Sequence, residues 1–252
     1  MRSRIIAVGC ALIGTAGLLG IPQGIARAAS AATVPAAART QLSVSTAHGT
    51  YHYGDKVIVA VTLDKTIPGG SVSLYAQPAG QGTRRIAAGK VNAKHKLIVA
   101  YNVTRTTKFT AVFAGSKGHA AAKASKTVGT RARVASLVTN YFKVVKFNGN
   151  AYYYFHTSKP LTLHSTVTPN KHGECLQPET QQWDKGPKGP VWDADTKYGC
   201  DTLDSQSHDS SAFDLSSAAG DKYRIRGSYL RSKTDTVNLS AVGPWVYFVV
   251  VK

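Results

Sequence analysis

The sequence predicts an all-β protein: two tandem antiparallel β-sandwich domains behind a cleaved signal peptide. Three observations predict it. Apolar and polar residues alternate at period two through many short segments, the pattern of half-buried strands. Glycine and proline clusters separate these segments, and the pattern restarts after "VGTRARVAS". No segment outside the apolar N-terminal run sustains a helical period.

Residues 1–29 carry the anatomy of a signal peptide. Arg2 and Arg4 precede an apolar run from Ile5 to Leu19, and Ala26-Arg27-Ala28 supplies a small-x-small cleavage signal. The run is short for a membrane span, which needs about 20 residues. Cys10 lies inside it and is discarded with it. Residues 30–40, "SAATVPAAART", read as a flexible leader.

Residues 41–132 form the first expected sandwich. "KVIVAVTL" aligns Val57, Val59, Val61 and Leu63 on one face, and "GSVSLYAQ" aligns Val72, Leu74 and Ala76. "KLIVAYNV" aligns Leu97, Val99, Tyr101 and Val103, and "KFTAVFAG" aligns Phe109, Ala111 and Phe113. Some seven short strands over such a length imply an antiparallel sandwich. Residues 133–252 form the second. "YFKVVKFNGNAYYYFHT" is a hairpin, because Asn-Gly tolerates the positive φ of a tight turn. "PLTLHSTVTP" aligns Leu161, Leu163, Ser165 and Val167, and "KYRIRGSYL" and "WVYFVVVK" are further strands. Both spans are long enough for a core of their own.

"YHYGDKVIVAVTL … GSVSLYAQPAG … YNVTRTTKFTAVFAGS" resembles the bacterial Ig-like repeats of secreted actinobacterial proteins. In those, a "YG-x-x-V" turn opens strand B and "T-x-FTA-x-F-x-G" forms strand F and its hairpin. The second half resembles the C-terminal domain that follows such repeats, through "TVTPNKHGEC", "YRIRGSYLRSKTDTVNLS" and "PWVYFVV". The resemblance spans roughly Gln41 to Lys252 and implies an extracellular Ig-like protein. None of its motifs is catalytic. Tyr223, two residues before Ile225, matches a tyrosine corner, whose hydroxyl bonds back to a turn; the competing reading is an ordinary strand tyrosine.

Two cysteines remain after signal cleavage, Cys175 and Cys200, with 24 residues between them. An even count in an oxidising compartment reads as one disulfide. Such a bridge is worth about 3.5 kcal/mol in the loop-entropy picture. The rivals are a metal site with His172, which lacks a zinc-ligand spacing, and a free nucleophilic thiol.

Lysine and arginine number 31 against 13 acids, for a net charge of +18. Between Asp64 and Glu174 there are seventeen basic residues and no acid; from Glu174 onward there are eleven acids and nine bases. A one-sign field attracts anionic polymers. The densest group is Arg84, Arg85, Lys90, Lys94, Lys96, Arg105 and Lys108, the candidate polyanion-binding residues. The competing reading is charge for solubility. No RNA- or DNA-binding motif is present, so sequence-specific nucleic-acid recognition is not expected.

The second domain is aromatic, with Tyr152, Tyr153, Tyr154, Phe155, Trp183, Trp192, Trp245 and Tyr247. Exposed rings could stack sugars, but large side chains more often fill a sandwich core. Asp193, Asp195, Asp201, Asp204, Asp209 and Asp214 could suit calcium but lack the glycine and glutamate of a calcium loop. No G-x-S-x-G, H-E-x-x-H or phosphate-binding loop occurs. His156 and His164 flank a turn in a strand pair, alternate with apolar residues, and read as surface or edge histidines. No catalytic residue, metal or cofactor is expected.

The leading expectation is a secreted, non-enzymatic Ig-like adhesion module. It would associate non-covalently with anionic envelope or matrix polymers through the basic first domain. A structural or protein-interaction module of the cell surface is the alternative, and a hydrolase hidden in the second domain the minority reading. "VYFVVV" is strand length only, so no membrane span is expected in the mature chain.

Overall fold

A strand with one apolar side must bury that side against a second sheet. The computed structural model describes residues 37–186 and 189–252; the expected signal peptide and most of the expected leader lie outside the described residues. The first half contains β1 (Leu42–Thr46), β2 (Thr50–His52), β3 (Lys56–Leu63), β4 (Ser71–Pro78), β5 (Arg84–Lys90), β6 (Lys96–Asn102), β7 (Thr107–Phe113) and β8 (Ala122–Arg131). One sheet has the order β1-β3-β6 and the facing sheet the order β2-β8-β7-β4-β5. All pairs are antiparallel except β2 with β8. In immunoglobulin notation this is A-B-E facing A′-G-F-C-C′.

The second half contains β9 (Arg133–Thr139), β10 (Lys143–Phe147), β11 (Asn150–His156), β12 (Leu161–Thr168), β13 (Cys175–Gly186) and β14 (Gly189–Trp192). It continues with β15 (Thr196–Lys197), β16 (Asp201–Thr202), β17 (His208–Phe213), β18 (Lys222–Leu230), β19 (Ala241–Val242) and β20 (Val246–Val251). Its sheets run β17-β12-β9 and β10-β11-β20-β18-β13-β14, with β11 parallel to β20. The connectivity of the first sandwich is thus repeated, with β10 added as a hairpin. Asn148 and Gly149 make that hairpin turn at φ of 48° and 79°. Among the described residues there is no helix, and hence none long and apolar enough to cross a membrane.

The alternating residues build the cores. Val57, Val59, Val61, Leu74, Phe109 and Ala111 are fully buried in the first. In the second, Phe155, Leu161, Leu163, Ile225 and Val250 form one cluster, and Leu176, Leu203 and Tyr229 a neighbouring one. Tyr223 packs against the first of these. Its hydroxyl donates to the Asp221 carboxylate at 3.3 Å, not to a backbone carbonyl, so the tyrosine-corner geometry is not formed. Burial first, then the Asp221 charge, push that hydroxyl up to about 12.

Two local results differ from simple expectation. The end of the leader is held in place: the Ala38 amide donates to Gly118 at 3.0 Å and its carbonyl accepts from Ala120 at 2.9 Å. The β11 and β12 strands that carry His156 and His164 lie in different sheets, so the turn between them joins no strand pair.

Residues Ala36–Lys252 are one compact unit. A single residue, the buried Ala132, separates β8 from β9. The segment between β18 and β19 reaches back to the first sandwich. The Thr106 amide donates to the Val237 carbonyl at 2.8 Å, and the Leu239 amide to the Thr130 carbonyl at 2.8 Å. Asn238, fully buried, donates its side-chain amide to the Thr104 carbonyl at 3.1 Å. Arg133 closes the joint, bonding the Tyr53 carbonyl at 2.7 Å and the Asp55 carboxylate at 2.6 Å. The segment is in turn held by the Asp235 carboxylate, which accepts from Lys171 at 2.7 Å, from the Tyr229 hydroxyl and from the Val237 amide at 2.8 Å.

Candidate functional sites

Two surfaces carry recognisable binding chemistry. The first is cationic. The seven expected residues divide into two groups at the ends of edge strand β5. Arg84, Arg85, Arg105 and Lys108 gather where β4 ends: Arg84 lies opposite Ala76, Lys108 opposite Gln77, and Arg105 donates to the Ala79 carbonyl at 3.1 Å. Lys90 lies opposite Ser71 at the other end. Lys94 and Lys96 flank the turn that follows, where both backbone amides bond the Asn92 side chain. Six residues of strand separate the groups by roughly 20 Å. Arg84 also donates to the Tyr101 hydroxyl at 3.2 Å across the sandwich edge. It is exposed, as are Arg85, Lys90, Lys94, Lys96 and Lys108; Arg105 is half-buried.

The ion pairs give this surface its sign. Of the seventeen basic residues between Asp64 and Glu174, only Arg133 and Lys171 have a carboxylate partner among the described residues. The nearest acid in sequence, Asp64, is held below the ordinary carboxylate range by bonds from the Thr66 amide and hydroxyl and the Gln41 amide, so it stays charged at neutral pH but is spent locally.

The second surface is the outer face of the large sheet in the second sandwich. Period two sends Tyr153 inward, where it packs on the core, and Tyr152 outward. On that outer face, Val145, Tyr152, Tyr247, Arg224 and Gln181 form one register row across five strands. Phe147 approaches Tyr152 at 6.4 Å between ring centroids, Tyr152 approaches Tyr247 at 5.4 Å, and Tyr247 approaches Trp192 at 5.7 Å. Trp192 meets its cross-strand partner Trp183 at 5.0 Å. The Arg224 guanidinium lies 4.5 Å from the Trp192 ring and 4.6 Å from that of Trp245, and Arg226 lies 4.1 Å from Trp245. All three tryptophans of the chain are therefore half-buried on this outer face. The expectation that large aromatics fill the core holds for Tyr153 and Phe155 and fails for Tyr152, Tyr247 and the tryptophans, which lie on the outer face.

The two arginines differ in charge balance. Arg226 is paired with the buried Glu179 at 2.6 Å and with Asp195 at 3.3 Å. Arg224 donates Nε to the Gln181 amide oxygen at 2.5 Å and has no carboxylate partner among the described residues. Burial first, then the neighbouring Tyr247 and Tyr154, raise the Tyr152 hydroxyl above its ordinary value.

Cys175 and Cys200 are joined by a disulfide, with Cα atoms 5.5 Å apart. The bridge ties the start of β13 to the far end of the excursion that carries Trp183 and Trp192, and so closes the base of that hairpin. Both sulfurs are committed to each other, which leaves no thiolate for the metal or nucleophile readings. The aspartates are dispersed in separate roles. Asp193 accepts the Gln182 amide, Asp204 the Gln206 and His208 amides, and Asp214 the Ser216 amide. Asp201 and Asp209 share the Ser211 hydroxyl. No group of three His, Cys, Asp or Glu among the described residues is placed to hold a metal ion. His164 bonds Thr139 and Ser210 hydroxyls through its two ring nitrogens, and no carboxylate among the described residues bonds the ring. His156 stacks on Phe142 with centroids 4.1 Å apart.

No protein-family model matches the sequence, and no curated protein matches it. Among solved structures, the chain is similar to a tetra-tandem repeat in the extending region of a large adhesion protein, with 14% identity and a TM-score of 0.32. That likeness covers 82% of this chain and 49% of the other, so the chain spans about half its length. The D0-D1 domain of intimin is similar at 10% identity and a TM-score of 0.27, covering 83% and 97% of the two chains. Likenesses this loose carry no argument; the sandwich fold rests on the strand order and pairing given above.

Proposed function

We propose that the chain is a secreted, non-enzymatic Ig-like binding module that adheres to anionic envelope or matrix polymers through its first sandwich. The observation that supports this reading most is the unbalanced charge. Fifteen of seventeen consecutive basic residues lack a carboxylate partner among the described residues. Cations left unpaired and exposed neutralise an external polyanion without first breaking an internal bond. The two groups along β5 suit an extended polymer: one chain can lie along the edge strand and meet both ends. At physiological salt the screening length is about 8 Å, so groups 20 Å apart act as separate contacts.

Charge reversal tests the proposal. Arg84, Arg85, Lys94 and Lys96 changed together to Glu should remove most of the retention on isolated cell-wall fragments or a polyphosphate column. Lys197, Lys233 and Lys252, exposed cations of the mixed-sign second half, serve as the control and should change retention little. Equal loss from both sets would mean that net charge alone is read and that β5 is no site.

A further inference from the structure

We propose that the outer face of the large second sheet is a separate carbohydrate site, and that it takes a glycan in which a uronate is flanked by neutral sugars. Phe147, Tyr152, Tyr247, Trp192 and Trp183 form a continuous file across the sheet. Adjacent strands are about 4.8 Å apart, so the file is some 20 Å long, the reach of several sugar rings. Aromatic faces receive the C–H faces of sugar rings and exclude water from beneath them. Phe147, 59% exposed, begins the file at the sheet edge.

Charge selects the uronate. Arg224 stands in the middle of the file between two indole rings, with its Nε committed to Gln181 and no carboxylate partner among the described residues. Its two terminal nitrogens form a planar fork that matches one carboxylate through two parallel hydrogen bonds. The indoles hold the fork in place, so little side-chain freedom is lost on binding. Arg226, by contrast, is neutralised by Glu179 and Asp195. Two further cations on this face, Lys143 over the Tyr154 ring and Lys222 opposite Val249, also lack a carboxylate partner among the described residues, but only Arg224 is held between two rings of the face. One carboxylate at Arg224, with neutral sugars on the rings to either side, matches this arrangement. Single-stranded nucleic acid needs a cationic groove that tracks its backbone as well as stacking rings, and the neighbouring Arg226 is already paired.

Intrinsic fluorescence reads this face alone, because the three tryptophans are the only ones in the chain. The probes are a hexasaccharide of alternating glucuronate and N-acetylglucosamine, a neutral N-acetylglucosamine hexasaccharide and a thymidine hexanucleotide. The full chain should give a saturable tryptophan signal with the uronate probe, at about tenfold higher affinity than with the neutral one, as expected for one charge-assisted pair. Arg224→Gln should abolish that preference while the melting temperature stays high. Tyr152→Ala should weaken both sugars, and the reversal of Arg84, Arg85, Lys94 and Lys96 should leave the titration unchanged. The proposal is overturned by no saturable signal from either sugar, by a uronate preference that survives Arg224→Gln, by loss of the signal in the first-sandwich reversal, or by the hexanucleotide binding as tightly as the uronate probe.

Discussion

Asp235→Asn should destabilise the protein more than any surface change, because Asp235 holds the segment that joins the two sandwiches. Its carboxylate and the Lys171 ammonium are 7% and 6% exposed and 2.7 Å apart. Removing the charge leaves Lys171 buried without a counter-ion, and Tyr229 loses its acceptor. Breaking one partner of a buried pair costs about 3–5 kcal/mol. For a unit of this size each kcal/mol moves Tm by about 2–4 °C, so the drop should be roughly 6–20 °C. Differential scanning calorimetry at neutral pH measures it. The double variant Lys171→Met, Asp235→Leu should recover much of the loss, since an apolar pair of similar size avoids the orphaned charge. The effect should also depend on pH in a defined direction. Burial by itself would raise the Asp235 pKa, but the bonds from Lys171, Tyr229 and the Val237 amide outweigh it and hold the carboxyl below its ordinary value. A depressed folded pKa stabilises fully above the unfolded value of about 3.9, and that contribution is lost as pH falls through the lower folded value. The gap between wild type and Asp235→Asn should therefore narrow below about pH 4. A Tm change under about 2 °C at neutral pH would refute the reasoning, because a buried unpaired ammonium cannot be that cheap.

Three further outcomes follow from local geometry. Cys175→Ser should lower stability by about 3.5 kcal/mol in the loop-entropy picture, and should raise amide exchange in β13 and β14 before the rest of the second sandwich; unchanged exchange there would separate the bridge from the hairpin it closes. Gly227→Val should cost at least about 1–3 kcal/mol, because a Cβ at Gly227 would lie 2.6 Å from the Ser165 hydroxyl and 3.2 Å from its Cβ; an unchanged denaturation midpoint would count against that packing. Asn238→Ala should remove the buried side-chain amide that bonds the Thr104 carbonyl at 3.1 Å, costing about 0.5–1.5 kcal/mol, and a change within error would mean the joint does not depend on that bond.

What the sequence made legible was whatever period two controls. Val57 to Leu63 and Leu161 to Val167 fall inward as their alternation requires, and Asn148-Gly149 turns the chain where expected. Compartment chemistry paired Cys175 with Cys200. The tryptophans were not legible, because alternation says that neighbours differ in face but not which face meets the core. Trp183 and Trp192 lie at the edge of the sheet, on its outer face, and Trp245 immediately precedes β20. Their common face emerges only when β14, β13, β18 and β20 are laid side by side. The segment Arg231–Ser240 has no period at all, and its role depends on carbonyls of Thr104 and Thr130, over a hundred residues earlier. The cationic run was plain in the sequence, but its division into two groups depends on the length and direction of β5.

The most direct test of the proposed adhesion is the salt dependence of wild-type binding to a defined polyanion, such as long-chain polyphosphate, from about 50 to 300 mM sodium chloride. If exposed cations at the two ends of β5 make four to six contacts, log affinity should fall linearly with log salt at a slope of roughly −3 to −5, about 0.7–0.9 per neutralised charge. A flat response, with retention unchanged across that range, would contradict the account and leave the basic surface with no role beyond solubility.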